Sequence, residues 1–305
     1  MSAAPVNRVG VIGAGLMGHG IAQVFAAAGA EVRVFDPDRE AIRTLHERIA
    51  TNLEALREPP DALVRVHAVD SPAAAATDAE LVVEAAPEQL VLKREIFAAL
   101  AAAAPAEAIL ASNTSVIKIG EIAAAVERSP GRVVGTHWWN PPHLIPLVEV
   151  VEAEGTDPTV AARMIAILEG VGKVPVHVRR DVPGFIGNRL QHALWREALA
   201  LIDAGVCDPR TIDVVVRNSF GLRLSVLGPV ENADYAGLDL TEAVHAYLLP
   251  HLDRSTEPAR GVRERVARGE LGAKAGSGYL EWGRGDAEET RDRLAAHLVD
   301  ILSHT

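Results

Sequence analysis

The sequence predicts an α/β protein in which an open, mostly parallel sheet is followed by an all-helical second domain. Short apolar runs alternate with helix-length segments over the first 180 residues, as in sheets that helices cover on both faces. Beyond residue 183 the pattern predicts helices alone. Because 305 residues allow two ordinary domains, we expect domains over residues 1–182 and 183–305.

The first domain begins with a buried strand over residues 9–12 and a helix over 18–28 that ends at Gly29. Residues 31–35 alternate polar and apolar side chains, which predicts a second strand that ends at Asp36. Further strands are predicted over residues 81–83, 109–111, 132–137, 147–151 and 174–178. Helices are predicted over residues 38–56, 89–103, 118–127 and 157–169.

The second domain opens with a long, largely apolar helix over residues 185–204. Asp208 and Pro209 are a typical cap and first residue of the next helix. Further helices are predicted over residues 238–252, 258–268 and 287–302. The breadth of the apolar surface predicts that the first helix is either the core of this domain or part of an interface between subunits.

Composition excludes several functional classes. Hydrophobic residues make up 49% and charged residues 23%, the ordinary balance of a globular protein. The single cysteine, Cys207, excludes an internal disulfide and a multi-cysteine metal site, and it indicates a reducing cytoplasm. A net charge of −11 argues against nucleic acid as a partner. Residues 9–17 are apolar but broken by glycines, so we expect neither a signal peptide nor a membrane helix.

A glycine-rich turn lies between the first strand and the first helix. Its sequence, Gly13-Ala14-Gly15-Leu16-Met17-Gly18, has the Gly-x-Gly-x-x-Gly spacing. In such turns the first glycine allows the tight bend, the second allows the backbone to approach a pyrophosphate, and the third allows the helix to pack on the strand. The turn predicts a bound dinucleotide and a Rossmann domain, with a purely structural turn as the alternative.

Asp36 ends the second strand, 21 residues after Gly15. This is close to the spacing of the carboxylate that binds the ribose 2′-hydroxyl in NAD-binding domains. A carboxylate repels a 2′-phosphate, so the residue predicts NAD as cofactor. Arg33 and Arg39 lie near enough to keep NADP as the alternative.

His137 and Glu149 are the candidate catalytic pair. They fall on two adjacent predicted strands that a proline-rich turn connects. A carboxylate within a strand is costly to bury unless it is paired, and a carboxylate against an imidazole fixes its tautomer and raises its basicity. We therefore predict that His137 is a general base. His143 and His177 are rival histidines without a carboxylate so placed.

Eight segments, taken in order, resemble the 3-hydroxyacyl-CoA dehydrogenase family over nearly the whole chain. As an ordered set they are highly specific. They are residues 13–18 (GAGLMG), 84–88 (EAAPE), 112–115 (SNTS), 137–141 (HWWNP), 147–150 (LVEV), 181–189 (DVPGFIGNR), 234–239 (DYAGLD) and 274–279 (KAGSGY).

The resemblance implies roles for particular residues. It makes His137 the general base and Glu149 its orienting partner, and it implies a homodimer formed through the second domain. It places Ser115 and Asn188 against the substrate oxygen and the nicotinamide region, with Asn140 as a further substrate contact. It also implies that three residues lie near the cofactor, namely Glu88, Lys93 and Asn113. Without it, Ser115 and Asn113 would be interpreted as helix caps and Lys93 as a solvated surface residue.

Two departures from the family concern the substrate. Family members that bind CoA carry a basic helix between the second strand and the next, whereas residues 38–70 here contain five arginines against seven acids. CoA phosphates would meet no net positive surface there. The stretch over residues 140–146 is more similar to relatives that oxidise small free hydroxy acids or related alcohols, the gulonate, carnitine and pyridoxine-degradation dehydrogenases.

Three functions therefore compete. The first is an NAD-dependent dehydrogenase of a small free hydroxy acid, and the second is a 3-hydroxyacyl-CoA dehydrogenase. The third is a non-catalytic NAD-binding protein, as in the lens crystallin relative of the family. The intact set of His137, Glu149, Ser115 and Asn188 argues against the third. We expect a small-molecule substrate and no metal.

Overall fold

A single sheet of eight strands forms the centre of the first part of the chain in the computed structural model, which describes residues 6–302. The strands are β1 Arg8–Ile12, β2 Glu31–Phe35, β3 Val66–Ala68, β4 Leu81–Glu84, β5 Ile109–Ser112, β6 Val133–Trp138, β7 Leu147–Val151 and β8 Val174–Val178. The strand order is β3-β2-β1-β4-β5-β6-β7-β8, and all neighbours are parallel except the antiparallel pair β6 and β7. This confirms the predicted doubly wound, mostly parallel sheet.

Helices bury both faces of this sheet because alternate strand residues point to opposite sides. The helices are α1 Gly18–Ala27, α2 Arg39–Arg43, α3 Leu45–Leu56, α4 Pro72–Ala76, α5 Leu90–Ala103, α6 Ile119–Ala123 and α7 Pro158–Gly170. Leu81 and Val83 join one hydrophobic cluster, with α1, α3 and α7, whereas Val82 joins the other, with α4, α5 and α6.

Several predicted bounds are wrong in detail. The helix over 38–56 is broken at Thr44 into α2 and α3, and the helix over 118–127 extends only over Ile119–Ala123. The stretch between α3 and β4, for which no elements were predicted, contains a 3₁₀ helix over Pro60–Arg65, β3 and α4. Three- and five-residue elements are too short to give a clear periodic pattern, so long-range pairing with β2 determines β3.

The remaining helices lie towards the C-terminal end. They are α8 Gly187–Asp203, α9 Pro209–Asn218, α10 Pro229–Ala236, α11 Leu238–Leu248, α12 Arg260–Ala267 and α13 Asp286–Leu302, with 3₁₀ turns at Pro130–Arg132, Phe220–Leu222 and Leu249–His251. Residues Arg189–Leu294 form one compact unit, and the rest of the described chain, including α13 from Ala295 on, forms the other.

The compact unit Arg189–Leu294 has almost no interior of its own. Gly261 is its only buried residue. Large apolar side chains on several helices are exposed, among them Val230, Tyr235 and Tyr247. Likewise no residue of α8 is buried, so the interpretation of α8 as the buried core of its domain is wrong for the single chain.

Candidate active site

The predicted site residues follow the strands whose carboxyl ends share one edge of the sheet. β1 ends at Ile12, β4 at Glu84, β5 at Ser112 and β6 at Trp138. β7 runs antiparallel to β6, so its first residue returns to the same edge. In open α/β sheets ligands bind at this edge, and the segments 13–18, 85–88, 113–115 and 139–140 all begin there.

Two of the three glycines in the turn are required by the fold. Gly13 has a φ of +104°, and a Cβ there would lie 2.6 Å from the carbonyl oxygen of Ala85. A Cβ at Gly18 would lie 1.7 Å from the carbonyl oxygen of Gly13. No side chain fits at either place, because β1, α1 and the loop after β4 meet there through their backbones.

Gly15 has no such packing reason, since a Cβ there would meet no atom within 4 Å. The open space lies at the N-terminus of α1, where backbone N–H groups and the helix dipole favour an anion. Beside it, Leu16 is 67% exposed, while Met17 packs against the hydrophobic core. The geometry fits a pyrophosphate that approaches the backbone at Gly15.

Asp36 is held by the turn itself. Its Oδ2 accepts a hydrogen bond from the backbone N–H of Ala14 at 2.7 Å, and its Oδ1 accepts one from Asp38 at 2.8 Å. Each carboxylate oxygen keeps a further lone pair for a ribose hydroxyl. Arg33, one of the two arginines that kept NADP as the alternative, donates instead to the carbonyl oxygen of Thr77 at 2.9 Å.

Arg48 was missed at the sequence level. From α3 it donates to the carbonyl oxygens of Ala41 at 2.6 Å and Gly15 at 3.3 Å. Burial lowers the pKa of Arg48, and the nearby charge of Asp36 opposes that effect. Arg48 therefore fastens the glycine turn to α3. No local sequence signal indicates this role, because the contact joins residues 33 positions apart.

Glu88 lies over the loop that follows β5. Its Oε1 accepts hydrogen bonds from the Thr114 hydroxyl and from the backbone N–H groups of Ser115 at 3.0 Å and Val116 at 3.1 Å. Burial raises the pKa of Glu88, but the Thr114 hydrogen bond, the charge of Lys93 and the backbone donors outweigh it, so the pKa lies below its usual range. Glu88 is therefore an anionic anchor beside Ser115.

Lys93 is fully buried, so the alternative of a solvated surface lysine is wrong. Its Nζ donates to Glu84 Oε1 at 2.7 Å and lies 3.5 Å from Glu88 Oε2. Glu84 also accepts from the Ser112 hydroxyl at 2.7 Å. Sequence reasoning missed Glu84 and Ser112 as members of this network, although burial of a strand glutamate requires such partners. The charge of Lys93 therefore stabilises the Glu88 carboxylate.

Asn113, Ser115 and Asn188 are brought to the same edge. Asn113 is buried, and its Oδ1 accepts from the backbone N–H of Trp138 at 2.9 Å, which ties the end of β5 to the end of β6. Asn188 donates from Nδ2 to the carbonyl oxygen of Ser115 at 3.0 Å. The N-cap of α6 is Lys118, so neither Asn113 nor Ser115 caps that helix. The Asn188 contact holds the start of α8 against the loop after β5.

His137 and Glu149 are partners in the β6–β7 register, as predicted. His137 Nδ1 and Glu149 Oε2 are 2.7 Å apart, and both side chains are buried. A carboxylate acceptor at Nδ1 favours the tautomer that carries its proton there, which leaves Nε2 as a free base. No other residue in the described part of the chain hydrogen-bonds to the imidazole.

The second oxygen of Glu149 is also satisfied. Oε1 accepts from the backbone N–H groups of Ile186 at 2.8 Å and Gly187 at 3.0 Å, at the start of α8. Burial raises the pKa of Glu149, yet the hydrogen bond from His137 and the two backbone donors bring it below its usual range. The carboxylate is therefore ionised and fixed at both oxygens.

Aromatic rings enclose the imidazole. The ring of His137 packs against those of Trp139 and Phe185, with centroids 5.2 Å and 5.7 Å away. A Cβ at Gly187 would lie 2.4 Å from Trp139 Cζ2, so the glycine makes room for the indole. This apolar surround limits water around the base.

The rival histidines are placed differently. His177, on β8, pairs with Glu152 at 2.7 Å, but its side chain is 35% exposed. His143 lies in the turn between β6 and β7, where burial and then the nearby His19 and Lys173 lower its pKa to about 4. Asn140, the remaining predicted substrate contact, is exposed at the start of that turn.

Residues 6–302 contain no candidate metal site and no candidate membrane span. No group of three His, Cys, Asp or Glu side chains there is arranged to hold a metal ion. Among the same residues, no helix has both the length and the apolar character needed to cross a membrane.

Comparison with known families identifies two adjoining matches. The profile described as 3-hydroxyacyl-CoA dehydrogenase, NAD binding domain, matches residues 8–182. The profile described as 3-hydroxyacyl-CoA dehydrogenase, C-terminal domain, matches residues 184–282. Together they cover most of the chain.

Individual relatives include enzymes for different substrates. A 5-formyl-3-hydroxy-2-methylpyridine 4-carboxylate 5-dehydrogenase from Mesorhizobium japonicum is 34% identical over 97% of each chain. A crystal structure of a dehydrogenase of that name, described as an NAD+ dependent dismutase, has a TM-score of 0.91 over 97% of both chains. An L-carnitine dehydrogenase from Streptomyces coelicolor is 39% identical over 82% of this chain and 79% of its own.

A relative that acts on a CoA ester is also similar. The crystal structure of (S)-3-hydroxybutyryl-CoA dehydrogenase from Ralstonia eutropha is 32% identical and covers 92% of this chain and all of its own, 100%. Its TM-score is 0.76.

Proposed function

The chain belongs to the 3-hydroxyacyl-CoA dehydrogenase family and is an NAD-dependent oxidoreductase, and we propose that it oxidises the hydroxyl of a small free hydroxy acid with His137 as general base. The observation that carries this proposal is the buried His137–Glu149 pair at 2.7 Å beside the glycine turn. We retain a boundary between residues 182 and 183, which agrees with where the two family profiles end and begin.

The cofactor would be held by the turn and by Asp36. Pyrophosphate would lie over Gly15 at the N-terminus of α1, and both ribose hydroxyls of the adenosine would donate to Asp36. Bound NAD supplies the hydride acceptor at its nicotinamide ring. Glu88, fixed by Thr114 and Lys93, would receive a hydroxyl of the second ribose, with Asn113 nearby.

His137 would accept the hydroxyl proton at Nε2 while hydride leaves the carbinol carbon. The imidazolium that forms would be stabilised by Glu149, which stays ionised because three donors converge on its oxygens. In the reverse direction His137 would return the proton to a carbonyl oxygen. The enclosing rings of Trp139 and Phe185 keep water from competing for that proton.

Ser115, Asn140 and Asn188 would orient the substrate oxygen. The contact between Asn188 and the Ser115 carbonyl supports this proposal, because it holds the two side chains on one side of the sheet edge. An oriented hydroxyl places its carbon for hydride transfer, and orientation is a large part of enzymatic rate enhancement.

The charge of the segment over residues 38–70 favours a compact substrate over a CoA ester. Of its arginines, Arg43 pairs with Glu40, Arg48 donates to carbonyl oxygens, and Arg65 donates to the carbonyl oxygen of Asp61 at 3.1 Å. These three side chains already have acceptors, and the seven acids of the segment outnumber its five arginines, so CoA phosphates would find no net positive charge there. The TM-score of 0.91 with a pyridine carboxylate dehydrogenase against 0.76 with a CoA enzyme supports the same choice.

A second candidate substrate class is a small aldehyde. The relative with the TM-score of 0.91 is named for a formyl group. A hydrated aldehyde carries a hydrogen and a hydroxyl on one carbon, as a secondary alcohol does. His137 could take the proton of that hydroxyl as hydride leaves, which would yield a carboxylic acid.

We also propose that the protein is a cytoplasmic homodimer whose interface lies mainly in residues 183–305. The compact unit Arg189–Leu294 buries only Gly261, although apolar burial is the main source of folding stability. A second copy packed on helices such as α9, α10 and α11 would supply the missing interior. The single half-buried cysteine, Cys207, is compatible with a reducing compartment.

The test is a comparison of catalytic efficiency with NAD, followed by nicotinamide absorbance. The substrates are 3-hydroxybutyryl-CoA, the free acids 3-hydroxybutyrate, gulonate and carnitine, and a pyridine aldehyde. Preference for a free acid supports the proposal, and preference for the aldehyde selects the second candidate. A strong preference for the CoA ester, weakened by salt, would overturn the substrate class. NAD binding with no turnover of any substrate would favour a non-catalytic protein.

A further inference from the structure

Lys173 is a buried cation that the proposed chemistry does not use. It lies between α7 and β8 and is 8% exposed. Its Nζ donates to the carbonyl oxygens of Pro142 at 2.6 Å and Ile145 at 3.0 Å, and it stands 5.5 Å from the centroid of the Trp138 ring. Within residues 6–302 it forms an ion pair with no carboxylate.

Burial of an ammonium without a counter-ion is energetically costly. Two carbonyl dipoles and the face of an indole offset part of that cost. An apolar side chain of similar length would avoid the cost altogether. Stability alone therefore does not explain why a lysine occupies this buried position.

Both carbonyl acceptors belong to the turn that joins the catalytic strands. This substrate-side turn, residues 140–146, runs from β6 with His137 to β7 with Glu149 and begins with Asn140. Internally it is closed by the backbone N–H groups of Leu144 and Ile145, which both donate to the Pro141 carbonyl, at 3.1 Å and 2.9 Å.

The opposite wall of the turn is α1. A Cβ at Gly20 would lie 2.7 Å from Pro142 Cγ, so turn and helix are in close contact. Trp138 and His137 are neighbours in β6, so their side chains point to opposite faces of the sheet. Lys173 packs against Trp138, so it binds the turn from the face of the sheet opposite to the His137 imidazole.

We propose that Lys173 is a positioning residue, whose ammonium holds the substrate-side turn closed against α1 and so fixes Asn140 relative to His137. The His137–Glu149 pair does not depend on this contact, because the strand register and the α8 backbone hold it. The effect of Lys173 on substrate affinity rests on the proposed function of Asn140, whereas its effect on the turn does not.

The charge of Lys173 titrates in an accessible range, since burial lowers its pKa to about 8. The titratable groups around it are His143 on the turn, His19 on α1, and Glu58, which lines the same cavity of about 620 Å³. Burial lowers the pKa of both imidazoles, so they are neutral throughout the alkaline range. As pH rises past 8, the turn loses the charge that holds it.

The experiment compares Lys173→Met and Lys173→Arg with the wild type, and with Lys274→Met as a control at an exposed lysine. Amide hydrogen exchange at Leu144 and Ile145 is measured on the full chain without substrate. We expect exchange about tenfold faster or more in Lys173→Met, with an unchanged melting temperature or a higher one. Lys173→Arg and Lys274→Met should exchange like the wild type. The proposal would be overturned if Lys173→Met exchanged these amides at the wild-type rate but had a lowered melting temperature. That result would show that Lys173 has a structural role only.

Steady-state kinetics with the preferred substrate from that comparison of free acids, aldehyde and CoA ester supply the second measurement. Lys173→Met should raise the substrate KM several-fold and leave NAD affinity unchanged. The wild type should lose kcat/KM as pH rises past about 8, and Lys173→Arg, which stays charged, should not. Identical alkaline profiles in the wild type and Lys173→Arg would contradict the inference. If Lys173→Met does not fold, the comparison of alkaline profiles between the wild type and Lys173→Arg tests the proposal. A wild type inactive on every substrate refutes the proposed function instead, and the exchange measurement still tests Lys173.

Discussion

His137 Nδ1 lies 2.7 Å from Glu149 Oε2 because the two residues face each other in an antiparallel register. The remaining oxygen of Glu149 is held by the N–H groups of Ile186 and Gly187. One carboxylate therefore fixes both the base and the first turn of α8.

Glu149→Gln should lower turnover by about tenfold to a hundredfold, less than loss of the base itself. The amide keeps the shape but removes the charge that stabilises an imidazolium, and it turns one acceptor into a donor. The substitution should also shift the acid limb of the pH–rate profile. An unchanged profile and turnover would refute the role of Glu149.

Stability should follow the lowered pKa of Glu149. A carboxyl group whose pKa is lower in the folded state contributes stability that is present above its unfolded pKa and is lost as pH falls through the folded pKa. The wild-type melting temperature should therefore exceed that of Glu149→Gln at pH 7, and the gap should narrow as pH falls below the ordinary glutamate pKa of 4.5. A gap that is constant from pH 7 to pH 3 would contradict this assignment.

Substitutions at Gly15 and Gly18 of the turn should distinguish a requirement of the fold from a requirement of cofactor binding. Gly15→Ala should leave the melting temperature unchanged and weaken NAD binding by about tenfold or more, near 1.4 kcal/mol, because its Cβ enters only open space. Gly18→Ala should destabilise the protein, since its Cβ would clash with the Gly13 carbonyl. Calorimetry and NAD titration check both. Equal effects of the two substitutions on stability would refute the distinction.

Asp36→Ala should reduce the preference for NAD over NADP by about ten- to a hundredfold, the value of one or two hydrogen bonds to a charged group. Asp38→Ala is the control, since Asp38 caps α2 and does not contact the turn through its side chain. Catalytic efficiency with each cofactor gives the result. Equal efficiency with both cofactors in the wild type would show that Asp36 does not select NAD.

The residues that sequence could predict are those whose chemistry is local. Asp36 follows from its distance to Gly15, and the His137–Glu149 pair follows from two strands and one turn. Lys93 has no local signal of its burial, because Glu84 on β4 and Glu88 in the loop after it determine its environment. Lys173 was missed for the same reason, since its acceptors lie in a turn about 30 residues earlier.

The prediction for α8, in the compact unit Arg189–Leu294, was ambiguous for a different reason. The apolar surface of α8 predicted either a core or an interface, and both patterns look alike in a sequence. The structure leaves α8 without a buried residue. The interface is therefore the alternative that remains to be tested.

A homodimer should appear in light scattering at micromolar concentration as a mass about twice the 32.4 kDa of the chain. Its unfolding should depend on protein concentration, because folding and association would be linked. A stable monomer at that concentration, with a melting temperature independent of dilution, would remove the proposed interface.

The role of His137 as general base is tested most directly by the rate of nicotinamide reduction in His137→Gln, with the preferred substrate. His177→Gln is the matched control, because His177 also pairs with a glutamate at 2.7 Å but is more exposed. We expect His137→Gln to lose roughly a hundredfold or more in turnover, with NAD affinity nearly unchanged, and His177→Gln to keep the wild-type rate. Wild-type turnover in His137→Gln would contradict the assignment of the base.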